Sequence, residues 1–260
     1  MATSEVLFTS AGSVAFLTFN RPGTRNALTW AMYDALAEAC DRVDADDNIR
    51  VFVVRSSGGA FASGTDINQF AGFTSGADGI AYERRVENVI DRLERVTVPT
   101  VAQVEGVAAG AGCVIAFACD LRVCTPSARF GIPIARTLGN CLSAANTARL
   151  LDLLGPGVTK DLMFTGRLLD AGEAATLGLV TRMADPGRID EAVRELTGEI
   201  AANAPLTISA TKDIVRRIAV HRRLAASGAD DLILSCYASE DFTEGVTAFI
   251  AKRKPVFRGK

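Results

Sequence analysis

The chain has 260 residues, and 28 Lys and Arg stand against 30 Asp and Glu for a net charge of −2, which excludes the basic field of a general nucleic-acid binder but leaves local cations free to hold an anionic ligand. Hydrophobic residues make up 48%, enough for a substantial core. No apolar run reaches the roughly 18 residues of a membrane helix, and one His with no Cys-x-x-Cys pair argues against a zinc site or any other metal centre.

The start, Met1-Ala2-Thr3-Ser4-Glu5, lacks the basic and apolar regions of a signal peptide, so a cytoplasmic location is the default expectation. Val6–Phe8 and Val14–Phe19 read as two strands joined by a turn at Ala11-Gly12-Ser13. Thr29 caps a helix to about Asp44 whose inner face carries Met32, Leu36, Ala39 and Val43. Val51–Val54 is continuously apolar, as a strand buried on both faces should be. A small-residue loop covers Ser56–Gly64, and a helix covers Asp78–Val96. Val101–Val104 and Leu121–Cys124 are further buried strands, with a short apolar helix between them at Cys113–Cys119. Helices follow at Ala144–Leu154 and Ala171–Leu177, then a strand at Val180–Met183. The remainder is helical: Ile189–Asn203, Leu206–Ala226, Asp230–Ala238 and Glu240–Lys252. This order predicts an α/β core over residues 1–200 and a helical segment over 201–260 that packs on the core or on a neighbouring subunit. The six cysteines, Cys40, Cys113, Cys119, Cys124, Cys141 and Cys236, read as reduced and mostly buried.

Four segments, taken in order, resemble the crotonase superfamily, the enoyl-CoA hydratase/isomerase family. They are Asn20-Arg21-Pro22 with Asn26-Ala27-Leu28; Phe61-Ala62-Ser63-Gly64-Thr65-Asp66-Ile67; Pro99 to Gly106 running into Gly110-Ala111-Gly112-Cys113; and Cys119-Asp120-Leu121-Arg122. The ending Glu244 to Phe257 is also similar to the family's C-terminus. The resemblance implies a spiral of repeated ββα units followed by helices that build a homotrimer, often paired into a hexamer. It also implies an acyl-CoA thioester as substrate, with coenzyme A arriving as part of it and no separate cofactor.

By the same resemblance, the backbone N–H groups of Thr65 and Ala111 form an oxyanion hole for the thioester oxygen, at the start of the helix that follows Gly110. Ala111 replaces a more usual glycine there, and its methyl group would either restrict the backbone or narrow the acyl site. Arg25, Ala27, Ser63, Asp66, Ile67 and Gly110 are implied to line the CoA path, with Phe249 and Lys252 reaching the CoA site of a neighbouring subunit.

The acids break the pattern. Hydratases of this kind use two glutamates to activate water and protonate Cα, and the matched positions here hold Val114 and Ile134. Neither side chain can transfer a proton. The loop from Phe130 to Gly139 is one residue longer than the family pattern, so a shifted register would present Arg136, Thr137, Asn140 or Cys141 to the acyl group. Arg136 then either binds an acyl carboxylate or pairs with a structural acid. Asp66 and Asp120 read as loop and backbone supports, Glu105 as a strand-end acid whose pKa rises if buried, and His221 as a packing residue on the stripe of Ile214 and Ile218. The leading expectation is an enoyl-CoA hydratase/isomerase-type lyase or isomerase with weak ordinary hydratase activity. The alternatives are an acyl-CoA decarboxylase or thioester hydrolase of the same fold, or a non-catalytic acyl-CoA-binding protein.

Overall fold

The computed structural model describes residues 4–225 and 227–260, so the Met1–Thr3 start and the Ala226 end of one expected helix lie outside the described residues. The chain opens with a hairpin, β1 (Val6–Ala11) and β2 (Val14–Phe19), turned by Gly12-Ser13 with Gly12 at φ 58°. Helix α1 (Trp30–Asp44) follows, capped as expected by the Thr29 hydroxyl, which accepts from Met32 N.

Three ββα units come next. They are β3 (Val51–Ser56), β4 (Ala60–Ala62) and α2 (Gly76–Glu94); β5 (Thr100–Val104), β6 (Val107–Ala109) and α3 (Ala111–Ala118); and β7 (Leu121–Cys124), β8 (Arg129–Gly131), a single turn α4 (Ile134–Thr137) and α5 (Ala144–Thr165). Then come β9 (Leu169–Asp170), α6 (Ala171–Thr176), β10 (Arg182–Met183) and α7 (Ile189–Ala201), followed by α8 (Pro205–His221), α9 (Asp230–Tyr237) and α10 (Glu240–Ile250).

Each unit sends its first strand to one sheet and its second strand to another. The larger sheet runs β1-β2-β3-β5-β7-β10 and is parallel apart from the hairpin; the smaller runs β4-β6-β8-β9. The repetition makes the chain a spiral. Strand β3 is apolar on both faces because both are covered: Phe52 and Val54 join the main core, while Val51 and Val53 pack with α7 through Val193 and Leu196. The spiral differs from the sequence reading chiefly in the second sheet, whose strands of two or three residues carry no readable period. The helix expected to end at Leu154 bends instead at Gly155 (φ 67°) and resumes through Pro156 to Thr165.

Two motif residues hold the first loops in place. Asn26 is fully buried at φ 53°; its Oδ1 accepts from Arg21 N and its Nδ2 donates to Ser57 O and Ala60 O. Arg122 is buried and donates to the carbonyls of Ala116 and Cys119, capping the C-terminus of α3 with positive charge. Asp120 supports backbone as expected, accepting from Thr100 N at 2.7 Å, and it also pairs with Lys212. Four of the six cysteines are buried and none is bridged.

The tail divides into two parts. Helices α9 and α10 fold back onto the core: α9 packs along α2, and Gly245 of α10 approaches the Leu138 carbonyl so closely that a Cβ there would lie 2.4 Å from the oxygen. Helix α8 buries no residue and exposes Ile214, Val215 and Ile218. His221 ends that helix exposed, not packed as expected, because its stripe faces outward. A hollow of about 590 Å³ lies beneath α8; the motif segment Cys119–Arg122 lines it, but none of the residues implied for the oxyanion hole or the CoA path does. Among the described residues no helix is long and apolar enough to cross a membrane.

Candidate active site

A cavity of about 650 Å³ opens where the β4–β6 edge, α2 and α10 meet. Thr65, Ala111, Arg25, Ala27, Ser63, Asp66, Ile67, Gly110, Phe249 and Lys252 all line it. The structure therefore brings together residues from four separated stretches of chain. Only Arg136 stands apart. It lies exposed on α4 beside Gly166, pairs with no acid among the described residues, and does not face the cavity, because the α4 turn directs Ile134, Thr137 and Leu138 inward instead.

The two expected donors sit on touching loops. A Cβ built on Gly110 would lie 3.5 Å from Gly64 Cα, and both glycines hold positive φ, 52° and 106°, which L side chains rarely adopt. Leu28 bridges to Thr65: its amide donates to Gly64 O, and Asp66 N donates to Leu28 O, which leaves the intervening Thr65 N–H outside the ladder. Ala111 is the first residue of α3, where an amide has no intrahelical acceptor. Among the described residues neither amide donates to a protein group. Gly112 is required for a different reason, because a Cβ there would stand 2.3 Å from Ala62 O and force α3 off β4.

The surrounding side chains fix this geometry. Thr65 Oγ1 lies 2.7 Å from both the Tyr33 and the Tyr82 hydroxyls, a clamp absent from the sequence reading. Asp66 is structural: its Oδ1 accepts from Asn68 N and its Oδ2 meets Arg21 at 3.1 Å. Phe249 and Lys252 line the cavity of their own chain, because α10 returns across the Ile67–Phe70 turn with Phe242 set edge-on against Phe70.

The matching family model, described as "Enoyl-CoA hydratase/isomerase", covers residues 9–260. The chain belongs to the enoyl-CoA hydratase/isomerase family. It is 30% identical to a short-chain-enoyl-CoA hydratase of Clostridium acetobutylicum over 98% of this chain and 97% of that one. The structure of an enoyl-CoA hydratase/carnithine racemase from Magnetospirillum magneticum is similar at 31% identity and TM-score 0.80, covering 100% of this chain and 97% of the other. A methylmalonyl-CoA decarboxylase structure shares the fold more closely, at TM-score 0.90 with full coverage of both chains, although only 24% of residues are identical.

Within this family member, Val114 and Ile134 line the cavity and are buried, so both positions present apolar walls. Of the shifted-loop candidates, Thr137 and Asn140 reach the cavity; Cys141 is half-buried and outside the lining, and burial raises its thiol pKa, which disfavours the thiolate. Glu105 is not in the lining, although partial burial and Asp190 raise its pKa.

The carboxyl that sequence reasoning missed is Glu83. It lines the cavity from α2 and is 2% exposed. Tyr237 Oη donates to its Oε1 at 2.7 Å and Ser143 N donates to its Oε2 at 2.8 Å. Burial pushes its pKa up to about 7 against the pull of those two hydrogen bonds, and the nearby Glu87 charge adds to the rise. The signal was present in the helical spacing: Glu83 falls on the stripe of Gly79, Tyr82, Val86 and Ile90 that α2 buries.

Proposed function

We propose that this cavity binds an acyl-CoA thioester and stabilises its enolate-like state by donation from Thr65 N–H and Ala111 N–H. The observation that carries this reading is the pair of amides without protein acceptors on loops in van der Waals contact, both lining one cavity. A thioester oxygen gains charge when a proton leaves Cα or a nucleophile adds at Cβ. Each donor aimed at such an oxygen in a water-poor site contributes about 3–4 kcal/mol to the transition state. The α3 dipole, with Arg122 closing its far end, adds positive potential at the same point.

Arg25 and Lys252 flank the open end of the cavity and supply positive charge for the CoA phosphates, while Ser63 and Ile67 offer backbone carbonyls to its adenine. The acyl chain then lies among Val107, Val114, Ile134, Leu138 and Leu142. The apolar pair Val114 and Ile134 favours a second reading, an acyl-CoA-binding protein without acid–base chemistry. For assembly, the exposed apolar face of α8 supports a homotrimer or a hexamer built from two trimers.

The test is calorimetric titration of the full chain with butanoyl-CoA. Saturable binding that weakens in the Arg25→Ala, Lys252→Ala double variant supports the reading. No binding, or binding indifferent to both cations, overturns it.

A further inference from the structure

The proposed function leaves the cavity without a proton carrier at Val114 and Ile134, and α2 supplies one. We propose that Glu83 is the catalytic base and acid of this cavity, moving a proton from Cα to Cγ of a bound 3-enoyl thioester. This inference rests on the reading that the cavity binds an acyl-CoA.

Among the described residues the lining holds two carboxylates, Asp66 and Glu83. Asp66 is occupied by Arg21 and by its own turn. Glu83 has no cationic partner among the described residues, whereas a buried structural carboxylate is normally paired with one. Its two protein neighbours both act as donors to it. Ser143 N can only donate, and Tyr237 Oη already receives Asn140 Nδ2 at 2.9 Å. A proton on Glu83 is therefore left for a group in the cavity. Beside it, Asn140 lines the cavity at 9% exposure and its Oδ1 is buried with no partner, an acceptor awaiting a ligand's polar hydrogen.

The step balances within the substrate. The Glu83 carboxylate takes the Cα proton, and the C–H electron pair enters the thioester as an enolate whose oxygen receives the Thr65 and Ala111 N–H bonds. The neutral carboxyl then returns the proton to Cγ as the enolate collapses, and the double bond moves into conjugation with the thioester. One carboxyl suffices for this shift, whereas hydration by the family pattern needs a second group at Val114 or Ile134.

The groups around Glu83 set its titration. They are Glu87 and Tyr82 on its own helix, Tyr33 on α1, Tyr237 on α9, and Cys141 on the loop before α5. Tyr33, Tyr82, Tyr237 and Cys141 are all raised by burial and stay neutral near pH 7, so Glu83 carries the charge change there.

The experiment follows 3-hexenoyl-CoA by the absorbance of its conjugated product, alongside butanoyl-CoA binding to the same proteins. The expected result is turnover that rises with pH through neutrality, a loss of about 10²–10⁴-fold in Glu83→Gln with unchanged butanoyl-CoA affinity, and an upward shift of the pH midpoint in Tyr237→Phe, which removes a donor to the carboxylate. Full turnover in Glu83→Gln, an unmoved midpoint in Tyr237→Phe, or wild-type protein that binds butanoyl-CoA but leaves 3-hexenoyl-CoA unchanged overturns the assignment while the binding reading stands. Wild-type protein that binds no butanoyl-CoA overturns both. If Glu83→Gln does not fold, the Tyr237→Phe midpoint decides alone.

Discussion

Gly79 of α2 lies directly under the ring of Tyr237 of α9: a Cβ at residue 79 would stand 2.2 Å from Tyr237 Cγ. The missing side chain lets the two helices close until the Tyr237 hydroxyl reaches Glu83. The obstructed atoms belong to the root of the ring, so they cannot swing aside as a flexible side-chain end would. Gly79→Ala forces α9 outward and destabilises the protein by about 1–3 kcal/mol, more than the roughly 1 kcal/mol that alanine's helix preference restores. Urea denaturation of the variant against wild type reads this directly, and a higher midpoint for the variant contradicts it.

Glu83 also makes stability depend on pH in an unusual direction. Its carboxyl titrates near 7 when folded and near the ordinary glutamate value of 4.5 when unfolded. Between those values the unfolded chain has released the proton while the folded chain keeps it, so this group's contribution falls as pH rises. The full cost, present above the folded value, is about 3 kcal/mol. Glu83→Gln removes that slope. Its stability relative to wild type is expected to increase from pH 5 to pH 8, and equal pH dependence of the two proteins in chemical denaturation excludes a buried, raised carboxyl.

Ala111 opens α3, the position at which proline is tolerated because its amide has no helical acceptor. Ala111→Pro thus deletes one thioester donor with little cost to the helix. Turnover of an acyl-CoA substrate is expected to fall about 10²–10³-fold, while the thermal midpoint stays close to wild type. Retained turnover places the thioester oxygen elsewhere.

Hydration of crotonyl-CoA is expected to run about 10²–10⁴-fold below that of a family member with both glutamates, as monitored by loss of the conjugated thioester's absorbance. Val114→Glu with Ile134→Glu tests whether the lining still admits a positioned water. A wild-type rate equal to the two-glutamate enzymes means that other groups have taken over both roles.

The sequence made the long helices and the buried parallel strands legible because each carries a strong period or an unbroken apolar run: Val51–Val54 and the Met32–Leu36–Val43 face needed no partner to be read. Thr29 was legible as a cap for the same local reason. The second sheet was not. Ala60–Ala62 and Arg129–Gly131 become strands only through partners far along the chain, Val107 and Ala108 among them, and three residues hold no period. The implied oxyanion and CoA-path residues converged on one cavity, but the loop after Pro133 could be placed only by the fold, which turned Asn140 inward and Arg136 outward. Glu83 was hidden by its neighbours, since Glu83-Arg84-Arg85 reads as a solvated helical face until its register with Tyr82 and Val86 is counted.

The return of α10 over its own cavity has a consequence for how ligand capture relates to assembly. Phe249 and Lys252 come from the same polypeptide as Thr65 and Ala111, so the oxyanion donors and the tail residues of the cleft are set by one folded chain. Ligand capture by such a cleft is expected to withstand dilution, and point changes on the outward stripe of α8, which lies outside the lining, are expected to leave occupancy unchanged.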